Sequence, residues 1–303
     1  MTTHIALISD IHLSRQRPYF HVNWEILLEE LAAVAPELVL VAGDLSLDGP
    51  HHSDDLAFAR AQLDRMPCPW LAVPGNHDVG NNLPDVRGET TVTGERVATF
   101  RNLIGPDFWL HDVPGWRIIG LDSLICGSGL AAEQEQAVFL RQALDTTGGR
   151  KVALMYHKPF CLDRPDETAP SQSFWYPQSR ALLGEHLSEG SLHLLLSGHL
   201  HESRDRLIGT ARHIWAPGVA FVSDMTCEHQ ANRGGRRRVG WMEVRLGDEV
   251  VVALHEPLAM MNTDIGNWLT TGIGHYAVFA GQRPYLGLAP APAFEDGEST
   301  GAR

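Results

Sequence analysis

Continuous aliphatic runs punctuate the first third of the chain: Ile5-Ala6-Leu7-Ile8, Leu38-Val39-Leu40-Val41 and Trp70-Leu71-Ala72-Val73. Runs without polar alternation are what strands buried on both faces produce. Between the first two, Val22, Ile26, Leu27, Leu31 and Val34 recur close to helical spacing. Residues 54–66 read as a second helix with Ser53 as its N-cap, and Pro74-Gly75 stops the third strand. This βαβαβ order predicts a parallel sheet with right-handed crossovers. Further on, the pattern predicts a strand over 117–121, a helix over 131–144, a strand over 152–156, a helix over 177–187 and a strand over 192–196. The helical signal then fades. Segments 212–216, 219–222, 239–246 and 250–255 read as shorter antiparallel strands, expected to form a second sheet packed on the first.

Polar residues gather where the apolar runs stop. The motifs are Asp10-Ile11-His12, Gly43-Asp44, Gly75-Asn76-His77-Asp78, His157 and Gly198-His199-Leu200-His201. In a parallel sheet such positions share the carboxyl edge, where ligands bind. Alternation along a strand lets Asp10 and His12 face one ion, and a glycine before a ligand permits a sharp turn. Any one of these short motifs is commonplace. Their recurrence at successive strand ends is what points to one shared site. A ligand set of two Asp, one Asn and four His exceeds what one ion needs and suits two ions sharing a carboxylate. Mixed nitrogen and oxygen donors favour Mn, Fe, Zn, Co or Ni over Ca or Mg.

Composition narrows the picture. The 303 residues are 44% hydrophobic and 20% charged, as expected of a soluble globular protein. No apolar run reaches the ~18 residues that would span a membrane. The N-terminal residues enter the first strand without a basic or long apolar leader, so a cytoplasmic location is expected. Cys68, Cys126, Cys161 and Cys227 are scattered and form no CxxC pair, which argues against a thiolate metal site. The net charge of -13 disfavours a nucleic-acid partner, and Arg236-Arg237-Arg238 reads as the solvated turn of a hairpin. The long polar loop 158–176 ends in Phe174-Trp175-Tyr176, and Trp175 and Tyr176 are candidates to stack on a substrate base. Apolar residues over 258–268 suggest burial there, as a cap or as a contact in a homo-oligomer. The organisation expected is a main domain over 1–257, a C-terminal extension over 258–285 and a disordered tail over 286–303.

The motif series resembles the calcineurin-like metallophosphoesterase superfamily. Its Asp-x-His opening, spacing and length are most similar to the bacterial class III cyclic nucleotide phosphodiesterases and the related glycerophosphodiesterases. The resemblance implies an α/β, four-layer αββα sandwich with a dinuclear metal site at the carboxyl ends of the strands. It implies one transition-metal ion (Mn, Fe, Zn or Co) on Asp10, His12, Asp44 and His201, and a second on Asp44, Asn76, His157 and His199. Asp44 would bridge them. His77 would be no ligand; it would face the substrate phosphate as the catalytic residue, oriented by Asp78. The implied reaction is hydrolysis of a small phosphodiester, a 3',5'-cyclic nucleotide such as cAMP first among candidates. A glycerophosphodiester or a phosphomonoester is the alternative, with a nuclease or a non-catalytic scaffold behind them.

Overall fold

The computed structural model of the chain describes residues 2–82, 91–168, 173–223 and 233–265. The first strands are β1 (Thr3–Ile8), β2 (Leu38–Ala42) and β3 (Trp70–Val73). They pair in parallel, as the sequence predicts. Helices α1 (His21–Val34) and α2 (Ser53–Leu63) connect them. The α2 N-cap is His52, one residue earlier than predicted. A one-turn helix, α3 (Asn76–Val79), follows β3, and α4 (Gly94–Leu103) comes next. The chain continues through β4 (Trp109–Val113), β5 (Trp116–Gly120), α5 (Ala131–Asp145), β6 (Lys151–Met155), α6 (Pro177–Ser188) and β7 (Leu194–Ser197). It ends in β8 (Arg204–Ile208), β9 (Ala211–Trp215), β10 (Trp241–Leu246) and β11 (Val250–His255).

The strands form two sheets, ordered β11-β10-β1-β2-β3 and β4-β5-β6-β7-β9-β8. The late strands therefore do not make a sheet of their own. They extend both sheets: β10 pairs antiparallel with β1, and β9 pairs parallel with β7. Alternation explains why the inner runs look continuous. Ile5, Leu7, Leu38 and Leu40 point inward to meet Ile118, Met155, Leu194 and Leu196 of the other sheet. Their neighbours Ala6, Ile8, Val39 and Val41 point outward against Trp24 and Leu27 of α1 and Leu56 of α2. On the far side, Val152, Leu154 and Leu195 pack on Leu140 of α5 and Leu183 of α6. The layers are thus helix, sheet, sheet, helix. Each aliphatic side chain so buried contributes roughly 1.5–3 kcal/mol of transfer free energy.

Other features differ from the sequence reading. Residues 219–222 are not a regular strand; Val219 and Ala220 donate to the carbonyls of Ser9 and Asp10, just past β1. Edge strands β4 and β8 were not legible, because three consecutive residues of each are exposed and no apolar alternation marks a buried face: Leu110, His111 and Asp112 in β4, Asp205, Arg206 and Leu207 in β8. Burial over 258–265 is partial. Met260 and Ile265 are buried, but Leu258 is 96% exposed and Met261 58%. Asn23 of α1 holds this segment through hydrogen bonds to the Met261 backbone. The tail expected over 286–303, most of the extension and Cys227 lie outside the described residues.

Candidate metal centre

Asp10 and His12 follow β1, Asp44 follows β2, Asn76 opens α3, His157 follows β6, and His199 and His201 follow β7. All seven come together at the carboxyl edge of the two sheets. The donor atoms of Asp10, His12 and His201 lie within 4.8 Å of one another, as do those of Asp44, His157 and His199. A third such group, His12, Asp44 and His77, joins the first two. Asp44 Oδ2 is 3.6 Å from His12 Nε2 and 3.3 Å from His157 Nε2. His201 Nε2 is 3.3 Å from Asp10 Oδ1. Asn76 Oδ1 and His199 Nδ1 are each 3.1 Å from His157 Nε2. Asp44 is thus within reach of imidazoles from both groups.

The backbone around these residues is under local strain. Asp10, His12, Asp44, His199 and His201 all have positive φ, between 44° and 70°. Only one other described non-glycine residue does, Ala35 at the end of α1. Left-handed backbone costs an L-residue about 1–3 kcal/mol and clusters at functional sites. It also corrects the strand-alternation reading: Asp10 and His12 lie beyond β1 and are aimed by left-handed turns, not by the pleat. Of the three motif glycines, only Gly43 is left-handed, at φ 88°. Gly75 and Gly198 are needed for close approach instead. A Cβ on Gly75 would lie 2.1 Å from Asp44 Oδ1, and one on Gly198 would lie 1.7 Å from Ser9 Oγ.

The polar atoms fit a cation better than they fit each other. Asp10 Oδ1 and both His12 ring nitrogens are buried without a hydrogen-bond partner. A buried orphan of this kind costs roughly 1–3 kcal/mol unless something binds it. Other imidazoles are turned by the backbone: His157 Nδ1 is 2.8 Å from the Ala42 carbonyl and His201 Nδ1 2.8 Å from that of Phe221. If each Nδ1 carries the proton and donates, Nε2 is left to coordinate. The Phe221 ring stacks on His201 with centroids 4.0 Å apart. Burial, and then neighbouring imidazoles, hold His12 and His199 well below the usual histidine range, in the neutral form that binds metal. Burial alone would raise Asp44, but His157 and His77 outweigh it and keep the carboxyl well below its usual range. Burial would lower His157, but Asp44 beside it raises it to about 9. Two carboxylates among four imidazoles, with orphaned donor atoms facing inward, suit two divalent ions.

His77 lies at the rim, half-buried, with its backbone N–H donating to Asp44 Oδ1 at 2.8 Å and its Nδ1 2.7 Å from the Leu47 carbonyl. Asp78 makes no hydrogen bond to its ring. The Asp78 carboxylate accepts from the backbone N–H groups of Leu45, Ser46 and Gly75 and from the Ser46 hydroxyl. It ties the turn after β2 to the turn after β3, and burial followed by Asp44 raises it to about 6. Trp175 is 1% exposed and packs on Tyr156 and Phe160, so it belongs to the core rather than to a substrate pocket. The first part of its loop is pinned: Glu167 accepts from Leu162, Asp163 and Arg164, and Arg180 donates to the Trp175 and Glu167 carbonyls. The basic run is solvated, as expected, and partly offset: Arg236 and Arg238 share Glu256, and Arg237 pairs with Glu202. Sequence reasoning missed Lys158, Asn81 and Asn82. The Lys158 ammonium is fully buried and donates to both asparagine side chains. A lysine inserted directly after a strand-end ligand was the available signal.

Comparison with known proteins agrees with this geometry. A probable cyclic nucleotide phosphodiesterase of Synechococcus is 26% identical over 262 residues, covering 80% of this chain and 94% of that protein. The 3',5'-cyclic adenosine monophosphate phosphodiesterase CpdA of Pseudomonas aeruginosa is 29% identical over 222 residues, covering 68% and 72%. Among solved structures, the purple acid phosphatase PPD1 of yellow lupin superposes with a TM-score of 0.62 at 12% identity, over 87% of this chain and 53% of that one, a likeness of fold. The calcineurin-like phosphoesterase profile matches residues 3–203, which takes in every strand end that carries a candidate ligand. The chain belongs to the calcineurin-like phosphoesterase family.

Proposed function

We propose that this chain is a dinuclear metal-dependent phosphodiesterase that cleaves a small phosphodiester, with a 3',5'-cyclic nucleotide such as cAMP as the preferred substrate. The observation that carries the chemistry is the position of Asp44, within reach of both donor groups. In this reading Asp10, His12, Asp44 and His201 hold one ion, and Asp44, Asn76, His157 and His199 hold the other. Bound ions would activate a water and neutralise phosphoryl charge. The protein's own groups do the rest. The carbonyls of Ala42 and Phe221 fix the His157 and His201 rings, so the donors need not reorganise when charge develops. His77 is held by the Asp44 carboxylate and the Leu47 carbonyl with its second ring nitrogen left to act. There it donates a proton to the leaving alkoxide or stabilises its charge. The cyclic nucleotide assignment is supported by the relatives named above; the net charge of -13 argues against a long nucleic-acid substrate.

The test is a panel of 3',5'-cAMP, 3',5'-cGMP, glycerophosphocholine and p-nitrophenyl phosphate, run on protein of measured metal content. The expected result is the highest kcat/KM on a cyclic nucleotide. A higher value on the monoester would overturn the diesterase reading, and a higher value on glycerophosphocholine would move the substrate class.

A further inference from the structure

Lys158 follows the candidate ligand His157 and is 0% exposed. No described carboxylate lies within ion-pair distance of its ammonium; its partners are Asn81 Oδ1 at 2.5 Å and Asn82 Oδ1 at 2.8 Å. Burial pulls this amine down to about 7, and charging it among neutral amides is costly, so its retention calls for a purpose. The geometry supplies one. Asn76 begins the single turn α3, which ends at Gly80 with φ 93°; Asn81 and Asn82 follow directly. His157 contacts the front of that turn, 3.1 Å from Asn76 Oδ1. Lys158 grips its back. Two consecutive residues at the exit of β6 thus hold both ends of one short segment that carries Asn76 and His77. A one-turn helix has too few internal hydrogen bonds to keep its own orientation.

We propose that Lys158 is a positioning residue for the second ion: it fixes Asn76 against His157 through Asn81 and Asn82. This inference rests on the ligand roles proposed above. Its effect is selective, because Asn76 lies on the segment that Lys158 holds, whereas Asp10, His12 and His201 belong to the turns after β1 and β7 and meet that segment only where the His12 ring stands edge-on to His77, centroids 4.6 Å apart. Loss of a partner that orients a ligand weakens metal binding about 10- to 100-fold.

The experiment separates the two ions. His201→Ala and His199→Ala backgrounds isolate the second and first positions, and Co(II) binding to each is followed by visible absorbance and calorimetry. Lys158→Met is expected to weaken binding in the His201→Ala background by about 10- to 100-fold, with less than about a twofold change in the His199→Ala background. Asn81→Ala with Asn82→Ala should reproduce the pattern, so the result does not depend on one buried substitution folding. Equal weakening in both backgrounds, or none in either, would overturn the role of Lys158. Fewer than two Co(II) bound by the unsubstituted protein would instead overturn the ligand assignment on which it rests.

Discussion

Gly75→Ala isolates close approach from every other role of a glycine. Gly75 has φ -111°, a conformation that alanine adopts freely. The whole penalty is therefore steric. The added Cβ would lie 2.1 Å from Asp44 Oδ1 and 2.3 Å from Asp44 N, where real contacts essentially never fall below 3.0 Å. Relief requires the Asp44 turn or the α3 turn to move by about 1 Å, a displacement that costs roughly 10²-fold in rate when it misplaces a catalytic group. The motion also strains the 2.8 Å hydrogen bond from His77 N to Asp44 Oδ1. Overpacking should lower stability by about 1–3 kcal/mol. The control is Gly94→Ala, where nothing lies within 4 Å of the new Cβ and α4 has just begun. That change should raise stability by about 0.4–1 kcal/mol and leave the rate alone. Initial rates on a chromogenic phosphodiester, metal content and urea unfolding give all the readouts. A Gly75→Ala protein with full metal content and a rate within twofold of the parent would refute the reasoning.

Other outcomes follow from particular contacts. His77→Ala should reduce kcat by about 10²- to 10⁴-fold with both ions retained; loss of an ion would place His77 among the ligands, which its proximity to His12 and Asp44 makes a real alternative. Chelation should abolish turnover and lower Tm, and Mn(II) at a hundredfold excess over Kd should restore about 2.7 kcal/mol per site, an effect that His201→Ala should diminish. Burial pushes His213 down to about 3. Its contribution to stability is thus complete above about pH 6.5 and is lost as pH falls toward 3, by roughly 1.4 kcal/mol per pH unit, because only the unfolded chain takes up the proton. The stability advantage of the parent over His213→Gln, measured by denaturant unfolding, should accordingly narrow by about 2 kcal/mol between pH 6.5 and 5, and a constant difference would show that His213 is not the group responsible.

The sequence by itself determined the inner strands, the helices between them and which residues sit at the strand ends. Those features are written locally: a strand buried on both faces must be apolar at every position, and a donor that cannot be buried without a partner stands out against such a run. The order of the motifs and the family they resemble were equally legible, and Asp10, His12, Asp44, Asn76, His157, His199 and His201 do converge. Tertiary structure decided what depends on neighbours remote in sequence. The edge strands β4 and β8 gave little signal, because a strand with a solvent face carries polar residues such as His111 and Arg206. Trp175 reads as a stacking residue in isolation and becomes core only once Tyr156 and Phe160 close on it. Asp78 sits next to His77 in sequence, yet its carboxylate turns to the backbone of Leu45 and Ser46. Gly75 and Gly198 look like turn formers but are fixed by how closely Asp44 and Ser9 approach them. Lys158 reads as a surface charge until the fold closes over it. A side chain's chemistry is local and so is carried by its identity; its burial, partners and clearance are set by chain segments tens or hundreds of residues away, and only the folded chain brings those to it.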